Sequence, residues 1–346
     1  MASSLAAPLA LAIRRLAHGA SLTAGEATEA FDSVMAGDAT PAQIAALLVA
    51  LRVKGESPEE VAGAARALRT AMVELPAREP DLLVDTCGTG GGTIPTFNIS
   101  TAAALLAAGA GVRIAKHGNR SFTSQCGSAD VLEALGVGIE VPPAAMAAAL
   151  ESAGIVFMFA PLMHPAMRHV GAVRRELSIP TVMNIVGPLA NPARAGRQVI
   201  GVADAARLPL LAAALVELGT VHALVVHGQG MDEISPLGPT EGVEIRHGEM
   251  RPWSLDPREY GVGSLDASEL AGGSPPENAG IIEAVLRGEG NAASTAAVVL
   301  NAAAAVYVSG LEPDMAHAVA RVRDALAAGA GVAALDRLRA AMPVNR

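Results

Sequence analysis

Residues 84–130 read VDTCGTGGGTIPTFNISTAAALLAAGAGVRIAKHGNRSFTSQCGSAD, and the architecture follows from them. The stretch holds two loops rich in glycine and hydroxyl side chains, separated by one helix-length segment. Each loop follows a short apolar run, Leu82–Val84 for the first and Val112–Ala115 for the second. A strand that ends in a glycine-rich turn and runs on into a helix is the repeating joint of a parallel α/β sheet. Free backbone N–H groups, hydroxyls and the positive end of a helix dipole collect at such joints, which suits phosphate. Two of them side by side imply a ligand with more than one phosphate group.

The same alternation continues on the C-terminal side. Strand-like runs fall at 82–85, 112–116, 155–160, 198–202 and 221–227. Helical runs lie between them at 99–109, 128–136, 143–153, 164–177 and 205–218. Apolar strands alternating with helices predict a mainly parallel sheet covered on both faces. Residues 232–253 read as a loop-rich, partly extended stretch, followed by helices at 277–287, 291–309 and 313–342. On the N-terminal side, residues 1 to about 75 read as helix throughout. Leu5, Leu9, Ile13 and Leu16 fall at helical spacing, Thr23 with Glu26 forms a capping box, and Gly37 stops the helix that follows. Thr40-Pro41 and Ser57-Pro58 open two more helices, and Gly55 follows the first of these. Four short helices do not close a large core alone. The expected fold is therefore α/β: a small all-helical domain (1–75) beside a larger α/β domain (76–163 and 191–346). The Arg-rich segment at 164–190 returns to the helical part.

Composition narrows the function classes. Of the 346 residues, 51% are hydrophobic and only 2% aromatic, so the core is built from Ala, Val, Leu and Ile. A net charge of −9 argues against a nucleic-acid binder, which carries a basic footprint. Cys87 and Cys126 are too few for a disulfide scaffold. The apolar N-terminal run has its arginines after it, which is a poor signal peptide. The long apolar run at 292–308 carries Ser, Thr and Asn, and reads as a buried helix rather than a membrane span. A cytoplasmic protein is expected. Lys54 and Lys116 are the only lysines, so a lysine inside the second loop stands out against a chain that otherwise uses arginine.

In the first loop, Gly88, Gly90, Gly91 and Gly92 allow close approach of the backbone to an anion. Asn98, Ser100 or Thr101 sits where a helix N-cap belongs. In the second, Lys116 and Arg120 bring positive charge, Ser124 and Ser128 bring hydroxyls, and His117 lies between Lys116 and a glycine. The first loop is neither a dinucleotide fingerprint nor a Walker loop. Arginines at 168, 174 and 175 share one helix, and one that faces a cleft is suited to grip a carboxylate. Asn184–Asn191 reads as a buried strand end and tight turn. Asp232-Glu233 follows an apolar strand at the edge where α/β sheets bind ligands, and neighbouring carboxylates there suit Mg²⁺. No grouping has zinc spacing, and no Ser-His-Asp arrangement is visible.

Taken in order, the glycine loop, TFNIST, KHGNR followed by GSADVLEALG, HPAM…VRREL, NxxGPLxNP and the DE pair before a GPT turn resemble the anthranilate phosphoribosyltransferase family, whose fold is nucleoside phosphorylase-like. The helical N-terminus and Glu277-Asn278-Ala279 fit as well, so the likeness spans nearly the whole chain. The resemblance implies phosphoribosyl pyrophosphate as donor, anthranilate as acceptor, two Mg²⁺ ions per subunit, and a homodimer joined through the helical domains. It also implies site residues. Gly88, Gly91, Gly92, Thr96, Asn98, Ile99, Ser100, Thr101, Lys116, His117, Gly118, Asn119, Arg120, Ser121, Phe122, Thr123, Ser124 and Ser128 line the donor site. Ser100, Asp232 and Glu233 hold Mg²⁺. Gly88, Asn119 and Arg174 meet anthranilate, Arg174 at its carboxylate, and His164 is a further substrate-binding residue. Lys116, Asn119 and Arg174 carry catalysis by position and charge, with no dedicated base. Other readings of the same fold are a pyrimidine nucleoside phosphorylase, which has a different Lys-containing glycine loop, and a nucleic-acid-binding relative, which has a basic cleft.

One position departs from the family pattern. The first loop of the family usually reads GTGGD, and this chain has Gly92 in place of the aspartate. The hydroxyl of Thr93 is the nearest substitute.

Overall fold

The computed structural model describes residues 7–121 and 125–344. Phe122, Thr123 and Ser124, expected in the donor site, lie outside the described residues, as does Leu5 at the expected start of the first helix.

Four helices open the fold: α1 (Ala7–Ala17), α2 (Ala24–Met35), α3 (Pro41–Lys54) and α4 (Pro58–Thr70). Three start at full capping boxes, Thr23 with Glu26, Thr40 with Gln43 and Ser57 with Glu60. In each box the side chains and backbone N–H groups at the first turn satisfy one another, so the helices start where the sequence places them. Glu60 does more than cap. Fully buried, it accepts the Leu22 N–H (2.9 Å), the Ser57 N–H (2.8 Å) and the Lys54 ammonium (3.0 Å). Glu60→Ala strands two backbone donors and takes the counter-charge from the half-buried Lys54, which keeps only the Gly55 carbonyl (2.6 Å) and Ser21 Oγ (3.3 Å), and the expected cost is about 3 kcal/mol. Urea unfolding of the variant measures it; a loss under about 1 kcal/mol would mean that Lys54 and the two donors find other partners.

Beyond the helices, one seven-stranded sheet runs in the order β3-β2-β1-β4-β5-β6-β7. Its strands and helices alternate along the chain as β1 (Val84–Gly88), α5 (Ile99–Gly109), β2 (Ile114–Gly118), α6 (Ser128–Ala134), α7 (Pro143–Ala153) and β3 (Ile155–Phe159). After α8 (Ala160–Met163) and α9 (Arg168–Leu177) come β4 (Arg197–Gly201), α10 (Leu208–Glu217) and β5 (His222–Gly228). These five strands are parallel neighbours. Then β6 (Thr240–Arg246) and β7 (Glu249–Leu255) close one edge as an antiparallel hairpin on β5. The sequence reading had this segment only partly extended. Its turn, His247-Gly248, places both residues at positive φ (53° and 79°), the geometry of a two-residue hairpin. Pro252 is tolerated because β7 is the edge strand. The chain ends with α11 (Pro275–Leu286), α12 (Ala292–Ser309), α13 (Met315–Ala327) and α14 (Ala330–Ala341). The run expected as one helix at 313–342 is broken in two at Gly329, at φ 67°.

Successive strand residues face opposite sides, and in β4 and β5 the two sides belong to two cores. Val199, Leu224 and Val226 join the large core with α5, α7, α12 and α14, whereas Ile200, Ala223 and Val225 join the core of the four-helix bundle. Val170, Val173, Val182, Ile185 and Leu189 pack into that second core as well, so the segment after α8 returns to the bundle side. The stretch 184–191 is two 3-10 turns, Val182–Asn184 and Gly187–Leu189, and not a strand end. α12 is long and apolar enough to cross a membrane, but it is buried in the large core over most of its length.

Candidate active site

In a parallel sheet the strand C-termini share one edge, and here four of them converge. β2, β1, β4 and β5 are neighbours in that order, so the turns after Gly118, Gly88, Gly201 and Gly228 meet at one rim. Beneath the rim lies a buried polar network. Asp85, in β1, is fully buried. It accepts hydrogen bonds from the Asn191 amide (2.7 Å) and the His117 N–H (3.1 Å). Asn191 also donates to the Ala115 carbonyl (2.8 Å), so it stitches β1 to β2. Burial pushes the Asp85 carboxyl up to about 6, against the opposing pull of Lys116 and these bonds. The ammonium of Lys116 donates to the Thr86 carbonyl and to Ser100 Oγ (3.3 Å), and desolvation lowers its pKa. The lysine is thus held below the rim, 3% exposed, where it supports Ser100 and Asp85 rather than reaching into solvent.

Above the network, the first loop enters α5. Asn98 occupies the N-cap position, yet its side chain caps nothing. It donates to the Cys126 carbonyl (3.1 Å) in the second loop and accepts from the Asn278 amide in α11 (2.9 Å). Asn278 is 2% exposed and in turn accepts the Gly273 N–H (2.7 Å). This amide chain ties the two loops and α11 into one rigid unit. Asn278→Ala is expected to raise the donor KM about tenfold, one good buried hydrogen bond, while the acceptor KM changes less. Steady-state kinetics with each substrate varied checks this; a donor KM that does not move shows that the Phe97 N–H to Leu270 carbonyl bond (2.9 Å) fixes the loop unaided.

Asp232 and Glu233 stand at the end of β5, both half-buried. Asp232 Oδ2 accepts the Gly90 N–H (2.8 Å), so the acid turn is sewn to the first loop. Backbone crowding explains two glycines. A Cβ at Gly88 would lie 2.2 Å from the Asp232 carboxylate, and one at Gly201 only 1.6 Å from the Asp232 carbonyl oxygen. Burial, then the charge of Asp232, pushes the Glu233 carboxyl up to about 8, while Lys116 and the Ser100 N–H pull it down. Two adjacent carboxylates with too little counter-charge, flanked by a hydroxyl at a helix start, form a hard oxygen set that fits a divalent cation. Among the described residues no group of three or more His, Cys, Asp or Glu could hold a metal, so such an ion would have to complete its coordination with substrate oxygens and water.

Several expected residues lie elsewhere than the sequence suggested. Arg120 is committed to Asp130 (2.8 Å) and Glu133 (2.5 Å) and stacks over Phe159 at 5.5 Å. Its charge is therefore neutralised on α6 rather than held over the loop. The side chains of Thr101 and Ile99 turn into the core, 1% exposed each, which leaves only their backbone for a ligand. Thr93 is no substitute for a carboxylate at 92, because its hydroxyl (3.3 Å) and N–H (2.8 Å) both go to the Gly230 carbonyl. A Cβ at Gly92 would come within 3.0 Å of that same oxygen. Gly91 and Thr96 stay on the loop, exposed and half-buried respectively. Ser128 Oγ donates to the Asn119 carbonyl (3.2 Å) against Gly118, and the Ser121 N–H donates to Asp130 (3.3 Å).

On the bundle side, His117 and His164 are buried with ring centroids 4.9 Å apart. Burial depresses both pKa values, that of His164 to about 4, so both rings are neutral at pH 7. The Gly187 and Ala190 carbonyls lie nearby, but His117 Nε2 and both His164 ring nitrogens make no hydrogen bond of good geometry. Arg174, on α9, is half-buried, and desolvation lowers its pKa. Its guanidinium has neither an ion pair nor a hydrogen bond among the described residues. Asn191, Asn278 and Asn301 were not recognised as site-supporting residues from sequence. Each is a lone amide whose partner lies far along the chain.

This arrangement is that of a known enzyme class. Residues 11–72 match the glycosyl transferase family helical bundle domain, and residues 80–332 match the glycosyl transferase family a/b domain. Anthranilate phosphoribosyltransferase of Rubrobacter xylanophilus is 49% identical over 94% of this chain and 95% of its own. That of Roseiflexus castenholzii is 46% identical over 98% and 100%. The crystal structure of the Thermus thermophilus enzyme superposes with a TM-score of 0.90 at 43% identity, covering 95% of this chain and 98% of that one. The Saccharomyces cerevisiae enzyme in complex with phosphoribosyl pyrophosphate and Mg reaches 0.87 at 27% identity, with 98% of each chain covered. The chain belongs to the anthranilate phosphoribosyltransferase family.

Proposed function

We propose that this chain transfers the 5-phosphoribosyl group of phosphoribosyl pyrophosphate to the anthranilate amine. The products are N-(5-phosphoribosyl)anthranilate and pyrophosphate, on the route to L-tryptophan. The observation that carries the reading is the convergence, at one sheet edge, of two glycine loops, the α5 N-terminus and the Asp232–Glu233 pair. Together they present backbone donors and a cation site to a pyrophosphate. With Lys116 buried and Arg120 paired, most of the leaving-group charge falls to backbone N–H groups and to Mg²⁺ held by Asp232, Glu233 and Ser100. When bound, the metal supplies Lewis-acid stabilisation of the departing pyrophosphate. We assign two ions per subunit.

The chain's own part is positional. Gly88 and Gly91 let the backbone close on the donor, and the Asn98–Asn278 chain fixes the loop that does so. Arg174 offers an unpaired guanidinium for the anthranilate carboxylate, and we assign Asn119 and the neutral His117–His164 pair to the acceptor side with it. An aryl amine is already unprotonated near pH 7. The ribose carbon develops oxocarbenium character as pyrophosphate leaves, so no dedicated base is needed. We assign the working form to a cytoplasmic homodimer joined through the helical domains. The exposed Leu11 and Val53 on α1 and α3 are apolar surface available for that contact.

Loss of anthranilate fluorescence, followed with phosphoribosyl pyrophosphate in the presence and absence of Mg²⁺, tests the reaction. A metal-dependent decrease is expected. No decrease under any metal condition would overturn the assignment.

A further inference from the structure

α12 is an apolar helix buried in the large core, and Asn301 near its middle is out of character. At 4% exposure it has no solvent to hydrogen-bond, so its amide must find protein partners. It finds three. Oδ1 accepts the Ile234 N–H (2.9 Å), and Nδ2 donates to the Ile234 carbonyl (2.9 Å) and to the Ala297 carbonyl (2.9 Å). The first two close a ring on the N–H and C=O of one residue, the way a paired strand would, and so fix both the position and the orientation of its backbone. Ile234 is covalently joined to Glu233, in a turn outside β5 and β6. On the other side of the acid pair, Gly228 and Met231 exchange two backbone bonds (3.1 and 2.9 Å). Asp232 and Glu233 are therefore strung between two anchors only three residues apart. Asn301 and Glu233 also line one small cavity, about 10 Å³, with Ser100, Thr86 and Cys87.

We propose that Asn301 is a positioning residue for the metal-binding turn: it touches neither metal nor substrate, and it holds the Asp232 and Glu233 carboxylates in register for a divalent cation. A leucine would suit this helix and core better on packing grounds. The amide therefore serves the turn rather than the helix.

The inference rests on the metal assignment above, and the test separates the two. Mn²⁺ binding is measured by electron paramagnetic resonance in the presence of phosphoribosyl pyrophosphate and without anthranilate, so that no turnover occurs. The proteins are the wild type, Asn301→Leu, Asn301→Ala, the Asp232→Asn/Glu233→Gln double variant, and Val298→Ala as a control for a destabilised α12. Groups that orient metal ligands typically change affinity by 10- to 100-fold, so both Asn301 variants are expected to weaken Mn²⁺ binding by about tenfold or more. Deuterium exchange at the Ile234 amide is expected to accelerate in both, while the anthranilate KM at saturating metal stays within about two-fold. Asn301→Ala carries the test if the leucine variant does not fold. Wild-type Mn²⁺ affinity in the Asn301 variants, with lost affinity in the double variant, overturns the role of Asn301 and leaves the metal site standing. Wild-type affinity in the double variant overturns both. An equal loss in Val298→Ala reduces Asn301 to a packing residue and overturns the inference.

Discussion

Replacing Asp232 by Asn and Glu233 by Gln together is expected to lower kcat/KM for phosphoribosyl pyrophosphate by about 10³-fold, with no recovery at high Mg²⁺. Metal stabilisation of a departing phosphate is worth several kcal/mol, and about 4 kcal/mol corresponds to that factor. The rest of the site offers little replacement charge. The Lys116 ammonium is bound to Thr86 and Ser100 below the rim, and Arg120 is paired with Asp130 and Glu133. Stability should move the other way. In the empty protein burial, and then the charge of Asp232, raises the cost of ionising Glu233, and the amides remove that cost. The amide oxygen introduced by Asp232→Asn can still accept the bond that the Gly90 N–H now gives the carboxylate. A melting temperature equal to or above the wild type, alongside the lost activity, therefore marks the pair as functional. Full activity in the double variant would eliminate the metal site. A fall in activity matched by a fall in melting temperature would make the pair structural.

The fold was largely legible because its local signals agree. Capping boxes open α2, α3 and α4, N1 prolines start α3 and α4, and glycines follow α2 and α3; the five parallel strands are short runs with no competing helical periodicity. The β6–β7 hairpin was missed because it lies at the sheet edge. β6 is largely half-buried and β7 largely exposed, so TEGVEIR and EMRPWSL carry the charge of a loop, and the turn that joins them is only the His247-Gly248 pair. The glycine loops and the acid pair were legible as chemistry, since those residue types cluster within a few positions. What their neighbours do to them was not. Arg120 read as a phosphate ligand because its charge looked free, and its acidic partners arrive only when α6 folds back, ten and thirteen residues on. Asn191, Asn278 and Asn301 act across separations of 106, 180 and 67 residues. Pattern reading on one chain has no access to such pairings.

Arg174→Ala is expected to raise the anthranilate KM by about 10–100-fold, with kcat changed much less. A hydrogen-bonded charge pair is worth about 1.5–3 kcal/mol, which gives that range. The split between KM and kcat follows from where the interaction acts. The carboxylate of anthranilate keeps its charge from ground state to transition state while bonds change at the amine and at ribose C1, so its partner contributes uniform binding. The structure makes Arg174 the fitting partner on α9. Val170 and Val173 anchor the helix in the bundle core, and Arg174 beside them is half-buried yet unpaired, whereas Arg168 and Arg175 are exposed. Burying a guanidinium without a counter-ion costs stability, as its lowered pKa records. Arg174→Ala should therefore melt no lower than the wild type, and anthranilate should raise the melting temperature of the wild type more than that of the variant. Arg174→Lys keeps the charge but loses the planar fork, so its KM should fall between the two. Steady-state rates with anthranilate varied at saturating donor decide the matter. An unchanged KM in Arg174→Ala would move carboxylate recognition elsewhere, with the His117–His164 pair the next group to test.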